Sequence, residues 1–137
     1  MTQPVVVVDA ANVMGSVPDG WWRDRAGAAA RLRDALVPLA AAGLAADAEV
    51  PAWARGGPVR MVLVVEGAAR RVAAVPGVEV VSAPRSGDDA IVAFVRAEPA
   101  EHRLVVTADR ELRERVRALG AAVAGPRAVY RPQGSRT

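Results

Sequence analysis

Val5-Val6-Val7-Val8-Asp9 is the stretch that decides the fold. Four consecutive β-branched side chains are stiff about χ1 and favour extended backbone. No polar residue alternates with them, so both faces of the strand must meet apolar surface. That is the pattern of a central strand in a parallel sheet covered on both sides. The run stops at Asp9, which leaves a carboxylate close to the core, where its charge needs compensation.

Working outward, a loop with Gly15, Ser16 and Pro18 precedes residues 21–42, which read as one long helix. Ala, Leu and Arg favour it, Leu32, Leu36 and Leu39 can share a broad face, and Pro38 is expected to end or kink it early. Residues 43–57 read mostly as loop because of Pro51 and Gly56-Gly57-Pro58, with a brief strand at Ala48-Glu49-Val50. A second strand covers 60–65, followed by Glu66-Gly67 and a short helix over 68–75 closed by Pro76-Gly77. Val78-Glu79-Val80-Val81 forms a third strand. Gly87-Asp88-Asp89 then opens a helix with Ile91, Val92 and Val95 facing inward. Leu104-Val105-Val106 is the fourth strand, ending at Thr107-Ala108-Asp109. A helix over 110–119 stops at Gly120, and Ala121-Ala122-Val123-Ala124 is a weaker fifth strand. Alternation of this kind predicts an α/β fold: an open, mostly parallel five-stranded sheet with helices on both faces. The 137 residues suit a single domain over 1–137, with a partly flexible C-terminal extension over 125–137 that frays at Gly134-Ser135-Arg136-Thr137.

Composition narrows the chemistry. The absence of cysteine excludes disulfides, thiolate metal ligands and cysteine nucleophiles. All 18 basic residues are arginine, so no lysine can form a Schiff base or serve a nucleotide-binding loop. The net charge of +3 permits a nucleic-acid partner, although the arginines are interleaved with 15 acids. No apolar run reaches membrane-spanning length, and Met1-Thr2-Gln3-Pro4 lacks the pattern of a secretion signal, so a cytoplasmic location is expected, with no membrane partner.

In open α/β sheets, function collects at the carboxyl ends of strands. Asp9 and Asp109 stand at two such ends, and Asp88 and Asp89 lie in the first turn of the helix after strand three. If strands one and four are neighbours, these three loci share a crevice. Carboxylates so placed repel one another, and a divalent cation relieves that repulsion. Oxygen donors without cysteine or a local histidine suit Mg²⁺ or Mn²⁺ better than Zn²⁺. An ion of that kind on a phosphate ester polarises the scissile group and lowers the pKa of an attacking water. Asp88, Asp89 and Asp109 also have a plain reading as helix caps. Asn12 is expected to hold its loop and orient Asp9. Ser86 and Thr107 are candidates to bond a phosphate oxygen or an acid, and Glu66 is a peripheral candidate facing arginines.

These segments resemble the NYN domains, a branch of the PIN-like ribonuclease superfamily. The likeness lies in Val5-Val6-Val7-Val8-Asp9-Ala10-Ala11-Asn12, in Gly87-Asp88-Asp89-Ala90-Ile91-Val92 and in Val105-Val106-Thr107-Ala108-Asp109-Arg110. The resemblance implies strand order 3-2-1-4-5 and a metal-dependent RNase that hydrolyses phosphodiesters through activated water, leaving a 5′-phosphate. It assigns Asp9, Asp88 and Asp109 as metal-binding acids, Asp89 as an additional acid and Asn12 as the asparagine after the first acid. Some related nucleases carry another acid four residues after the strand-four aspartate; here that position is Arg113.

A nuclease needs positive charge around its crevice to guide a polyanion. Arg23, Arg25, Arg85, Arg110 and Arg113 are the candidates, Arg85 foremost because it adjoins Ser86-Gly87-Asp88-Asp89. One ring of Trp21-Trp22 is a candidate to stack on an unpaired base while the other packs inward. Trp53 and His102 read as packing or surface. The expected partner is RNA, single-stranded or locally structured, and a homodimer stays open. A non-cleaving nucleic-acid-binding or regulatory module is the main alternative, ahead of a metal-dependent phosphatase or nucleotide hydrolase. Ala10-Ala11-Asn12 replaces the glycine-rich turn that a dinucleotide oxidoreductase would need.

Overall fold

A computed structural model of the chain describes residues 3–45 and 48–130. Its centre is β1 (Val5–Asp9), buried along its whole length. Around it the sheet runs β3 (Val78–Ser82), β2 (Arg60–Val65), β1, β4 (Arg103–Val106) and β5 (Ala122–Ala124), every pair parallel. The expected order 3-2-1-4-5 is the observed one.

Period-two alternation divides the valines of β1 between two cores. Val6 and Val8 pack with α1 (Ala10–Gly15) and α2 (Arg25–Ala42), through Val13, Leu32 and Leu36. Val5 and Val7 pack with α3 (Gly87–Ala97) and α4 (Arg110–Arg117), through Ile91, Val95, Leu112 and Val116. Each fully buried aliphatic side chain contributes roughly 1.5–3 kcal/mol of transfer free energy. An all-valine strand can therefore hold both helical layers.

Local differences from the sequence expectations have local causes. Residues 10–15, expected as loop, form α1, with Asp9 as its N-cap and Ala10, Val13 and Met14 buried. So short a helix is marginal alone, and that burial supplies its stability. The long helix expected from residue 21 begins instead as a 3₁₀ turn, Trp21–Arg23, before Asp24 caps α2. Pro38 lies inside α2 rather than ending it. Leu36 and Ala40 stay buried across the lost backbone bond, and the Ala40 carbonyl accepts the Val59 N–H at 2.9 Å. Gly43 is the actual stop: its φ is +85°, and a Cβ there would lie 2.6 Å from the Gly57 carbonyl oxygen.

No strand forms at Ala48-Glu49-Val50, where the Val50 N–H bonds back to Ala48 in a bend. The helix expected over 68–75 is reduced to a 3₁₀ segment, Gly67–Arg71. Val75 instead makes an antiparallel bridge with Val78. Of the expected C-terminal extension, Val129 joins the α2-side core, and the fraying expected at 134–137 lies outside the described residues. Among the described residues, no helix is long and apolar enough to cross a membrane.

Candidate active site

Because all five strands are parallel, their carboxyl ends open on one edge of the sheet. Asp9 pairs in register with Val64 of β2, and Val8 with Val106 of β4. The residues just past β2 and β4 therefore flank Asp9. A crevice of about 260 Å³ results, lined by Asp9, Ala11, Asn12, Glu66, Asp88 and Asp109. Asp9, Asp88 and Asp109, distant in sequence, thus meet in one place.

Asp9 is the anchor, only 8% exposed. Its Oδ2 accepts the Thr107 hydroxyl at 2.9 Å, and its Oδ1 accepts the Asn12 N–H at 3.4 Å. Burial pushes its carboxyl above the ordinary value, the two hydrogen bonds pull the other way, and the charges of Glu66 and Asp109 push it up again. Among the described residues no cation pairs with it, although two acids stand close enough to repel it.

Thr107 is fully buried and joins two acids. Its hydroxyl donates to Asp9 and accepts the Asp109 N–H at 3.1 Å. Of the two roles open to it in sequence, the structure places it on an acid. Asp109 in turn caps α4, its Oδ1 accepting the Leu112 N–H at 3.0 Å. Asn12 ties the β1 and β4 ends together, its Oδ1 accepting the Ala108 N–H at 2.7 Å. The side chain thus crosses to β4 instead of holding its own loop, and the contact with Asp9 comes from the Asn12 backbone N–H.

The acid underrated in sequence is Glu66. It lines the crevice directly after β2, and its carboxylate accepts the Gly87 N–H at the start of α3 rather than an arginine. Its signal was positional: an acid immediately after a buried strand beside β1, as Asp9 follows β1 itself. Arg113, at the position where some nucleases carry an acid, is turned to structure, its Nε donating to the Thr107 carbonyl at 2.7 Å.

Asp89 is not brought into the crevice. Its carboxylate pairs with Arg115 at 3.0 Å, and Arg115 followed by Ser86 holds it below the usual aspartate range. Arg115 also stands 4.0 Å from Asp88. Ser86 caps α3, its Oγ accepting the Asp89 N–H at 3.4 Å. Arg85 and Ser86 line a separate cleft beside α3. Arg110 is exposed on the first turn of α4. Arg23 and Arg25 lie over the rings of Trp22 and Trp21, at 5.6 and 5.5 Å from the centroids. Trp22 is 55% exposed, and Trp21 is the ring that packs on the core. Trp53 stacks on His102, their centroids 4.8 Å apart.

The donor set facing the crevice is four carboxylates with no sulfur or imidazole, which suits a hard divalent ion. Among the described residues no three such groups are drawn together closely enough to hold an ion as they stand. An ion would have to draw the acids inward, and Glu66 and Asp88 start from their contacts with Gly87 and Arg115.

No family model matches the chain, and no curated protein does. Among solved structures it is similar to Rae1 (YacP) from Bacillus subtilis, in a mutant form, with a TM-score of 0.66 and 18% identity. The match covers 92% of this chain and 72% of that one. At this identity the likeness is one of fold alone.

Proposed function

We propose that this protein is a divalent-metal-dependent ribonuclease whose catalytic acids are Asp9, Asp88 and Asp109, with Glu66 beside them. The observation that carries this reading is the burial of Asp9 between Glu66 and Asp109 with no cation paired to it among the described residues. A site that keeps an unbalanced carboxylate at a strand end is built for a positive ligand. The three motifs that resemble NYN ribonucleases supply residues of that crevice, and the nuclease-like fold agrees with them.

Asp9, Asp88, Asp109 and Glu66 would hold Mg²⁺ or Mn²⁺. Such an ion, when bound, makes a water acidic enough to attack phosphorus and offsets charge on the phosphate. The chain itself supplies positioning. Thr107 and Asn12 hold the Asp9 carboxylate from two sides, and Thr107 also fixes the backbone that carries Asp109. Glu66 anchors the first turn of α3 and so sets where Asp88 stands. Arg110 and Arg85 provide cations outside the acidic lining, suited to the flanking phosphates of a polyanion. The substrate is RNA, single-stranded or locally structured, in keeping with the exposed Trp22 ring and its Arg23 neighbour.

The test is cleavage of labelled RNA by the purified chain with Mg²⁺ or Mn²⁺ and with chelator. Cleavage should require the ion, and Asp9→Asn should abolish it while the far-UV circular dichroism stays unchanged. Full activity in Asp9→Asn, or cleavage that survives chelation, would refute the assignment.

A further inference from the structure

Beside the acidic crevice, across the first turn of α3, lies a second cavity of about 520 Å³. Asp88 lines the crevice and Asp89 lines this cleft. Consecutive helical residues project about 100° apart, so one turn of α3 forms a wall of both. The cleft is walled by Val81 of the edge strand β3 and by Pro84, Ala90, Ala93 and Phe94. The Arg60 guanidinium, which is not part of the cleft lining, lies 5.5 Å from the Phe94 ring centroid. Ser86, Arg85 and Asp89 are polar groups at the end nearest the crevice.

The charges at that end do not oppose a polyanion. Asp89 is matched by Arg115 at 3.0 Å. Among the described residues the Arg85 guanidinium makes no hydrogen bond or ion pair, so its donors are free for a ligand. Apolar walls, a few polar groups at one end and an unspent arginine form the chemistry of a site for a flat heterocycle attached to a phosphate.

We propose that this cleft is a subsite for an unpaired nucleobase, next along the strand from the phosphate held at the acidic crevice. The subsite rests on the ribonuclease reading for its orientation. The base inserts between Phe94 and the Val81–Pro84 wall, and Arg85 bonds the phosphate that links the two cavities. Selection of unpaired strands follows, because a base held in a duplex cannot enter.

The experiment measures binding separately from cleavage. Fluorescence anisotropy follows a short fluorescein-labelled single-stranded RNA on the full chain, with Ca²⁺ present, and an abasic nucleotide is placed at each position in turn. At one position the lost base should weaken binding about fivefold or more, as expected for a stacked base. Ala93→Glu, on the exposed wall of the cleft, should erase that sensitivity. Ala97→Glu, of equal charge on the same helix but outside the cleft, should keep it. Thermal unfolding checks that both variants fold. Uniform sensitivity below about twofold, absence of RNA binding, or retained sensitivity in a folded Ala93→Glu would overturn the proposal. Cleavage assayed with Mg²⁺ judges the ribonuclease reading independently. Base-dependent binding without cleavage would leave the cleft standing and remove the enzyme, and cleavage without base dependence would do the reverse.

Discussion

Replacing Thr107 by valine probes the link between the stability of the crevice and its chemistry. The substitution nearly conserves volume at a fully buried position, so its cost is that of a hydroxyl and not of a cavity. Two hydrogen bonds vanish, one to the Asp9 carboxylate and one from the Asp109 N–H. A bond to a charged group contributes about 1.5–3 kcal/mol and a neutral one about 0.5–1.5 kcal/mol, giving a loss of about 2–4.5 kcal/mol. For a chain of this size that lowers Tm by about 6–15 °C at neutral pH. The loss must also depend on pH. Asp9 already has a raised pKa in the fold, so the native state binds its proton more tightly than the unfolded chain, and this group favours folding more as pH falls through that pKa. The Thr107 hydrogen bond opposes the rise, and removing it raises the pKa further. The gap between wild type and Thr107→Val should therefore narrow on acidification towards the ordinary value of 3.8. Differential scanning calorimetry across that pH range is the assay. A Tm change below about 2 °C, or a gap that stays constant or widens as pH falls, would refute the account of Asp9.

Three further perturbations separate roles around the site. Glu66→Gln retains an acceptor for the Gly87 N–H, so stability should change by less than about 1 kcal/mol while metal-dependent cleavage falls at least tenfold; full activity would reduce Glu66 to an anchor for α3. Asp88→Asn should cost at least tenfold in cleavage, whereas Asp89→Asn, which loses only an exposed pair with Arg115, should stay within about threefold; equal losses would return Asp89 to the crevice. At the opposite end of the sheet, Arg60 bridges Glu79 and the largely buried Glu98, so Arg60→Ala should destabilise by about 1–3 kcal/mol in chemical denaturation. Arg60 lowers the Glu79 pKa, a contribution present above 4.5 and lost as pH falls through the lowered value, so the variant should lose less stability on acidification than wild type.

Much of this molecule is legible in residues 5–9 alone. Four β-branched apolar residues without alternation can satisfy both faces only at the centre of a covered sheet, and Asp9 must then sit at its functional edge. The five strands of the sheet, α3 and α4 follow from patterns that local chemistry writes into sequence, and Asp9, Asp88 and Asp109 gather once β4 pairs beside β1. Tertiary contact decided the rest. α1 exists because Asp9 caps it and Val13 and Met14 are buried by the sheet; α2 passes Pro38 because Leu36 and Ala40 are held on both sides of it. The same applies to the acids. Asp88 and Asp89 are chemically identical neighbours, but about 100° of helix rotation sets them on different walls of α3, and Arg115 on α4 pairs more closely with Asp89. Glu66 enters because parallel register sets the end of β2 beside Asp9 and the start of α3. Sequence by itself determined which carboxylates stand at strand ends. Their partners across the sheet, each tens of residues away, determined which of them face one another.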